Sequence, residues 1–282
     1  MQHGDMNTVP ANQQQGIVAT GLTKIYQRGG QPVHALDNVN LHLPQGTQVA
    51  IMGPSGSGKT TLLHCLAGIL TPTSGNVIVN GQQLTGLSDA AISKLRLQHF
   101  GFVFQDGQLL AELPAEENVA LPLMLLGASR NEAVARARDL LAKVGLAGLG
   151  PHRPGQLSGG QAQRVAIARA LITGPAVVFA DEPTGSLDRT TGAEIMQVLT
   201  QACAATGASL VLVTHDSEVA ERLPHTIHVR DGHIQVAANG AGNAPTQTKE
   251  VKTATFEAAD GGTPVPDTSQ SVEAVALARP HN

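Results

Sequence analysis

Aromatic residues are scarce in this chain: they make up 2% of 282 residues, with no Trp, one Tyr and five Phe. A basic excess is missing as well. The formal net charge is −4, so nothing in the overall balance points to a nucleic-acid partner. Cysteine is nearly absent. Cys65 and Cys203 have no CxxC spacing and both fall in segments that read as helical, which excludes a disulfide framework or a cysteine metal site and predicts buried free thiols in a reducing cytosol. Long apolar runs are lacking too. The best, "VALPLMLLGA", is broken by Pro122 and is half the ~20 residues that a membrane span needs. The opening "MQHGDMNTVPANQQQG" has no charged-then-apolar signature of secretion. The expectation is a protein soluble by itself, whose membrane role, if any, comes through a partner.

What is present divides into three zones. Residues 1–15 are polar and Gln-rich and read as a flexible arm. From Gly16 to Val236, short β-branched runs alternate with helical periodicity, and the apolar share of the whole chain is an ordinary 41%. Residues 237–282 are rich in Ala, Gly, Thr and Pro; with little that is large to bury, such a tail cannot offset its ordering entropy and is expected to be disordered. That includes the short helix-compatible piece "SVEAVALAR".

In the middle zone the expected strands are "GIVATGL", "VNLHL", "TQVAIMG", "NVIVNG", "FGFVFQ", "AVVFAD", "SLVLVTHD" and "TIHVRDGHI". Helices are expected after Gly58, Ser88, Asn131, Ser158 and Asp188, with Ser88, Asn131 and Ser158 placed as N-caps. "AVVFAD" and "SLVLVTHD" are unbroken apolar runs that end in polar residues. That pattern suits central parallel strands, covered on both faces, with chemistry at their C-terminal ends. The fold class is α/β.

The first chemical signal is "VAIMGPSGSGKTT". A strand runs into Gly53, Pro54, Ser55, Gly56, Ser57, Gly58, Lys59 and Thr60, and a helix follows; this is the G-x-x-x-x-G-K-[ST] phosphate loop in its required context. The glycines let backbone N–H groups face inward at the positive end of a helix. Lys59 adds a point charge for the β- and γ-phosphates, and the Thr60 hydroxyl suits Mg²⁺. A second metal anchor is expected at Asp181, which ends "VVFAD". Glu182 follows directly. In an extended strand adjacent side chains diverge, so the two carboxylates need not compete for one role, and Glu182 can face an attacking water as general base. A solvated acidic pair is the bland alternative.

A second glycine-rich run, "LSGGQAQR", is also built to hold phosphate: Ser158 caps a helix while Gly159 and Gly160 bare the backbone. Alone, "SGG" is a common turn. The full set is more specific: Gln105 closes "FGFVFQ", "LSGGQ" opens a helix, "DEPTGSLD" follows the acidic strand, and His215 ends "VLVTH". In this order the pieces, over residues 16–236, resemble the ATP-binding subunit of ABC transporters.

The resemblance implies a P-loop NTPase with a mostly parallel core sheet, an N-terminal antiparallel β subdomain and a helical subdomain, about 106–172, that carries the signature. It implies that Tyr26 stacks on adenine, although an ordinary packing role stays open for that ring. Gly53 to Thr61, including Thr61, hold the phosphates. Gln105 touches Mg²⁺ and senses the membrane partner; Ser158, Gly159, Gly160 and Gln161 are the signature; Asp181 is the metal carboxylate and Glu182 the base. Ser186, Leu187 and Asp188 form the loop that crosses between subunits, and His215 contacts the γ-phosphate, with a satisfied core histidine as the alternative. It further implies that the signature of one copy closes over the ATP held by another. One copy of each motif per chain cannot build two complete sites by itself, so ATP and Mg²⁺ bind at a homodimer. That dimer works a separate membrane permease from the cytoplasmic face.

The interval between Gln105 and Ser158 holds no coiled-coil insertion, which sets the chain apart from the chromosome-maintenance members of the superfamily. "FVFQDGQLLAELPAEENVALPLMLLGASRNEA" and "DEPTGSLD" look like the branch with the lipoprotein-release, macrolide-export and cell-division cassettes. An exporter ATPase is the leading expectation, and a non-transporting regulatory ATPase of the cell-division type is the alternative.

Overall fold

Chain direction first reverses at Gly29 and Gly30, which have φ of 58° and 78°, a region where a Cβ is a steric penalty and glycine has none. They join β1 (Gly16–Arg28) to β2 (Gln31–Pro44) in an antiparallel hairpin with Tyr26 opposite Val33. The computed structural model describes residues 16–235 and the backbone of 253–255. The expected arm over 1–15, the stretch "SVEAVALAR" and most of the expected tail lie outside the described residues. Both hairpin strands run further than the sequence predicts, which ends the first at Leu22 and starts the second at Val39. Near the turn the strands are exposed on both faces, so no apolar alternation marks them.

The hairpin continues into β3 (Gln48–Met52) and α1 (Lys59–Leu66), then β4 (Ser74–Val79), β5 (Gln82–Gln83), α2 (Asp89–His99) and β6 (Phe100–Phe104). Next come α3 (Ala115–Leu125), α4 (Arg130–Lys143), a short 3₁₀ turn over Pro154–Gln156, and α5 (Gly159–Leu171). The chain then alternates β7 (Val177–Asp181), α6 (Arg189–Thr206), β8 (Ser209–Val213), α7 (Ser217–Ala220), β9 (His225–Arg230) and β10 (His233–Gln235). A last strand, β11 (Thr253–Thr255), pairs in parallel with Asn40, Leu41 and His42 of β2. It sits within the segment whose composition predicts no structure.

Two sheets result. One is β11-β2-β1-β4-β5; the other is β10-β9-β3-β8-β7-β6, parallel at every pairing except β9 with β10. All five residues of β8 and the first four of β7 are buried, as the apolar runs predict. Register decides where the site falls. Phe104 pairs with Asp181, Asp181 with Val213, and Val213 with Ile51. The C-terminal ends of β6, β7, β8 and β3 therefore form one row, and the loops after them leave the same edge.

Three cores hold this together. Leu62, Leu66, Phe179 and Val213 belong to the cluster between the sheets, with Cys65 among them. Ile167, Val178, Leu199 and Leu212, with Cys203, fill the opposite face of the parallel sheet. Val119, Ala137, Leu141 and Val165 give α3, α4 and α5 a core of their own. Both cysteines are free and buried, as the sequence predicts.

Helix caps follow expectation at Ser88 and Ser158. At the fourth helix the expectation needs correcting: Ser129, not Asn131, accepts the Glu132 N–H, and Asn131 already lies in the first turn. Helix α3 is not predicted, because Pro122 interrupts its pattern. Its anchor is Asn118, fully buried, which accepts from Leu110 N and donates to the Leu110 and Leu113 carbonyls. Among the described residues, no helix is long and apolar enough to cross a membrane.

Candidate active site

The phosphate loop leaves β3 at Met52 and ends at Gly58, the N-cap of α1, with φ 104° and no side-chain cap. The first N–H groups of such a helix have no intrahelical acceptor and point outward toward anions. Close approach explains two of the glycines. A Cβ on Gly53 would lie 2.1 Å from Val229 O, and one on Gly58 would lie 2.2 Å from Ala35 O. The second contact sets the Ala35 backbone of β2 directly against the loop. Lys59 is buried and donates to the carbonyls of Gly53 and Pro54, at 2.9 Å each. Ser57 is 3% exposed, and its hydroxyl has no hydrogen-bond partner among the described residues. A buried polar atom without a partner is unfavourable by about 1–3 kcal/mol, so this cradle is chemically suited to an anionic guest.

Tyr26 is 40% exposed, with Lys24 Nζ 5.4 Å from its ring centroid. The ring is available at the surface and already engages a cation.

Opposite the loop, Asp181 ends β7, and its Oδ1 accepts from Thr60 Oγ1 at 3.4 Å. Two residues expected to hold a metal are thus brought together. Burial pushes the Asp181 carboxyl above its ordinary range, and Glu182 adds to that, while His64, Thr60 and Lys59 oppose it. A nearby cation would stabilise the charged form of such a group. Among the described residues, no group of three or more His, Cys, Asp or Glu converges on a metal site. Mg²⁺ needs no all-protein cage, since it uses one or two carboxylates together with substrate phosphates. Gln105 follows Phe104, the partner of Asp181, at the same edge. Its amide packs where a Cβ on Gly185 would sit, at 3.1 Å, and among the described residues it makes no hydrogen bond to Thr60 or Asp181.

Glu182 and His215 come together as a pair. His215 Nδ1 lies 2.8 Å from Glu182 Oε1, and the buried Thr214 donates from Oγ1 to Glu182 Oε2 at 3.3 Å. The reason Asp181 and Glu182 diverge is not the strand pleat expected from sequence. Glu182 is left-handed, with φ 48°, and its N–H donates to Val213 O at 2.9 Å. The chain turns at that residue, and a backbone strained there holds the carboxylate toward His215.

Ser158 caps α5 in a reciprocal box: its Oγ accepts from Gln161 N at 3.2 Å, and its N–H donates to Gln161 Oε1 at 2.9 Å. Gly160 is packed against α6, where a Cβ would lie 2.5 Å from Thr191 Cγ2, and Gly159 faces Leu187. Ser186 donates to Gln105 O at 3.2 Å, and Asp188 caps α6 through Thr190 and Thr191 N. The signature thus contacts the Ser186–Asp188 loop of its own chain. Among the described residues, none of Ser158–Gln161 hydrogen bonds to the phosphate loop.

Three residues at this edge escape the sequence reading: Thr214, Gln163 and Arg169. Gln163 is 3% exposed, and its Nε2 donates to Phe104 O. A polar side chain on the apolar stripe of "GGQAQRVAIARAL" is the signal that marks it.

Known proteins match this arrangement. The sequence profile described as "ABC transporter" covers residues 36–185. The lipoprotein-releasing system ATP-binding protein LolD of Chromohalobacter salexigens is 46% identical over 224 residues, 79% of this chain and 94% of that protein. LolD of Bordetella avium is 45% identical over 221 residues, 78% and 96% of the two chains. Among solved structures, the ATP-binding cassette MJ0796, a dimer in a post-hydrolysis state bound to ADP and phosphate, is similar with a TM-score of 0.72 at 41% identity, covering 78% of this chain and 97% of that one. By profile, sequence and fold, the chain belongs to the ABC transporter family, as a nucleotide-binding ATPase subunit that drives a membrane permease.

Proposed function

We propose that two copies of this chain clasp ATP between them and hydrolyse it to work an inner-membrane permease of the lipoprotein-releasing type. The observation that carries this reading is the separation of the two cradles within one chain: Ser158–Gln161 bond to each other and pack on Leu187 and Thr191, not on the phosphate loop. A second copy is then required to complete each site. The dimeric cassette and the names of the LolD proteins support the same reading. They favour export over a non-transporting regulatory role.

In this account Tyr26 stacks on the adenine, and Gly53–Thr61 bind the phosphates through backbone N–H groups and Lys59. Thr60, Asp181 and Gln105 are the residues that would hold Mg²⁺, which would supply positive charge to the triphosphate. Glu182 takes a proton from the water that attacks the γ-phosphorus, and ADP departs with the bridging oxygen. His215 orients Glu182 through Nδ1 and leaves Nε2 for the γ-phosphate. Ser158, Gly159, Gly160 and Gln161 of the second copy close over the same γ-phosphate, and Ser186, Leu187 and Asp188 cross between copies. Residues 16–236 constitute the ATP-binding domain, with a helical subdomain over 106–172 that faces the permease at the cytoplasmic side. Of the chain outside these bounds, Thr253–Thr255 adds a strand to the domain's sheet.

The test is Glu182→Gln. Hydrolysis should fall by about 10²–10⁴-fold, the usual contribution of a general base, while nucleotide binding persists and a dimer accumulates in ATP and Mg²⁺. A variant that stays monomeric at saturating ATP on sizing chromatography contradicts the proposal.

A further inference from the structure

Arg169, near the C-terminus of α5, is a half-buried cation whose pKa burial pulls below the ordinary arginine value. Among the described residues no carboxylate pairs with it. Its guanidinium instead donates to two backbone carbonyls, Gly107 O at 2.6 Å and Gln108 O at 2.7 Å. One turn of chain supplies both acceptors. Gly107 N closes that turn onto Phe104 O at 3.0 Å, and Gln108 sits in the left-handed region at φ 47°. Phe104 O also accepts from Gln163 Nε2 at 2.9 Å. Where Gly107 lacks a Cβ, Gln163 Oε1 and Ala166 Cβ lie 3.3 and 3.5 Å away. Both ends of the turn that carries Gln105 are therefore fastened to one face of α5. The same helix begins at the Ser158–Gln161 capping box, about 16 Å from Arg169 along the axis at 1.5 Å per residue.

An arginine on carbonyls is not interchangeable with a lysine. Its planar fork meets two acceptors at once, whereas an ammonium on a flexible stem is a single point charge. Burying the guanidinium without a counter-ion is unfavourable, so the two carbonyl bonds are its compensation, and they tie the turn firmly to the helix.

We propose that Arg169, together with Gln163, is a positioning residue that locks the Gln105 turn to the signature helix, so that a displacement of Gln105 at the nucleotide reaches Ser158–Gln161 as movement of one rigid piece. The inference rests on the roles given above to Gln105 and the signature.

It is tested in the full chain carrying Glu182→Gln, by hydrogen exchange with and without ATP and Mg²⁺. Arg169→Ala should keep the ATP-induced protection at residues 54–60 and the affinity for a fluorescent ATP analogue, while the ATP-dependent change at residues 158–162 disappears. Arg169→Lys, which preserves the charge and serves as the folding control, should restore part of that change. The ATP concentration that drives dimerisation should rise by about tenfold in Arg169→Ala. An unaltered exchange response at 158–162 in Arg169→Ala overturns the lock, and so does a loss of nucleotide affinity in equal measure. The exchange is read at a protein concentration where sizing chromatography shows only monomer, so closure of a second copy over 158–162 does not contribute. A parent with no ATP-dependent change at 158–162 there also overturns the lock. A parent that fails to dimerise at higher concentration therefore counts against the two-copy reading alone, and the lock is still decided.

Discussion

Glu182 and Lys59 do opposite things with their surroundings. Lys59 is held by carbonyls of its own loop, so its charge is placed by the backbone before any substrate group is considered. Glu182 is held by side chains, Thr214 and His215, on a residue whose φ of 48° is unusual outside glycine. A carboxylate oriented by a turn and two partners is pre-organised for one direction of proton transfer. The cysteines are the chemical contrast. Burial pushes the Cys65 thiol up to about 11 and the Cys203 thiol up to about 12, so at pH 8 under about one molecule in a thousand carries either thiolate. Neither should react with a disulfide reagent in the folded protein, and both should react in denaturant. Rapid labelling of either in native conditions would contradict the packing described for α1 and α6.

At the scale of elements, the contact between the signature helix and its neighbour depends on the missing Cβ of Gly160. Gly160→Ala sets a methyl 2.5 Å from Thr191 Cγ2 and should destabilise the fold by about 1–3 kcal/mol, as overpacking does. Thr191→Ser, which removes that methyl, should recover much of the loss in urea unfolding. No recovery would mean that the crowding is not at Thr191.

How much of these elements the sequence reveals depends on where their information lies. The phosphate loop, β7, β8 and the Ser88 and Ser158 caps are legible because the residues that make them are adjacent in the chain. The outer half of the β1–β2 hairpin is not, since exposure on both faces erases the period of two; only Gly29–Gly30 hints at it. Helix α3 hides behind Pro122 and is revealed by the bonds of Asn118. The Glu182–His215 pair and the Arg169 bonds join residues 33 and 61–62 positions apart, and no local pattern encodes such distances.

For the whole molecule, the row formed by Phe104, Asp181, Val213 and Ile51 gathers the phosphate loop, the acidic pair, His215 and the Gln105 turn at one edge. The signature belongs to the helices beyond and is tied to that edge through Arg169 and Ser186. Each chain thus presents a nucleotide-binding half and a closing half. The most direct measurement uses the inert native thiols as a silent background. One preparation carries Glu182→Gln with Ser55→Cys, a second carries Glu182→Gln with Ser158→Cys, and the two are mixed with a short thiol cross-linker. The account predicts a linked species of twice the monomer mass that needs both preparations together with ATP and Mg²⁺. Efficient linkage within a single chain carrying both cysteines, with none between chains, would contradict it.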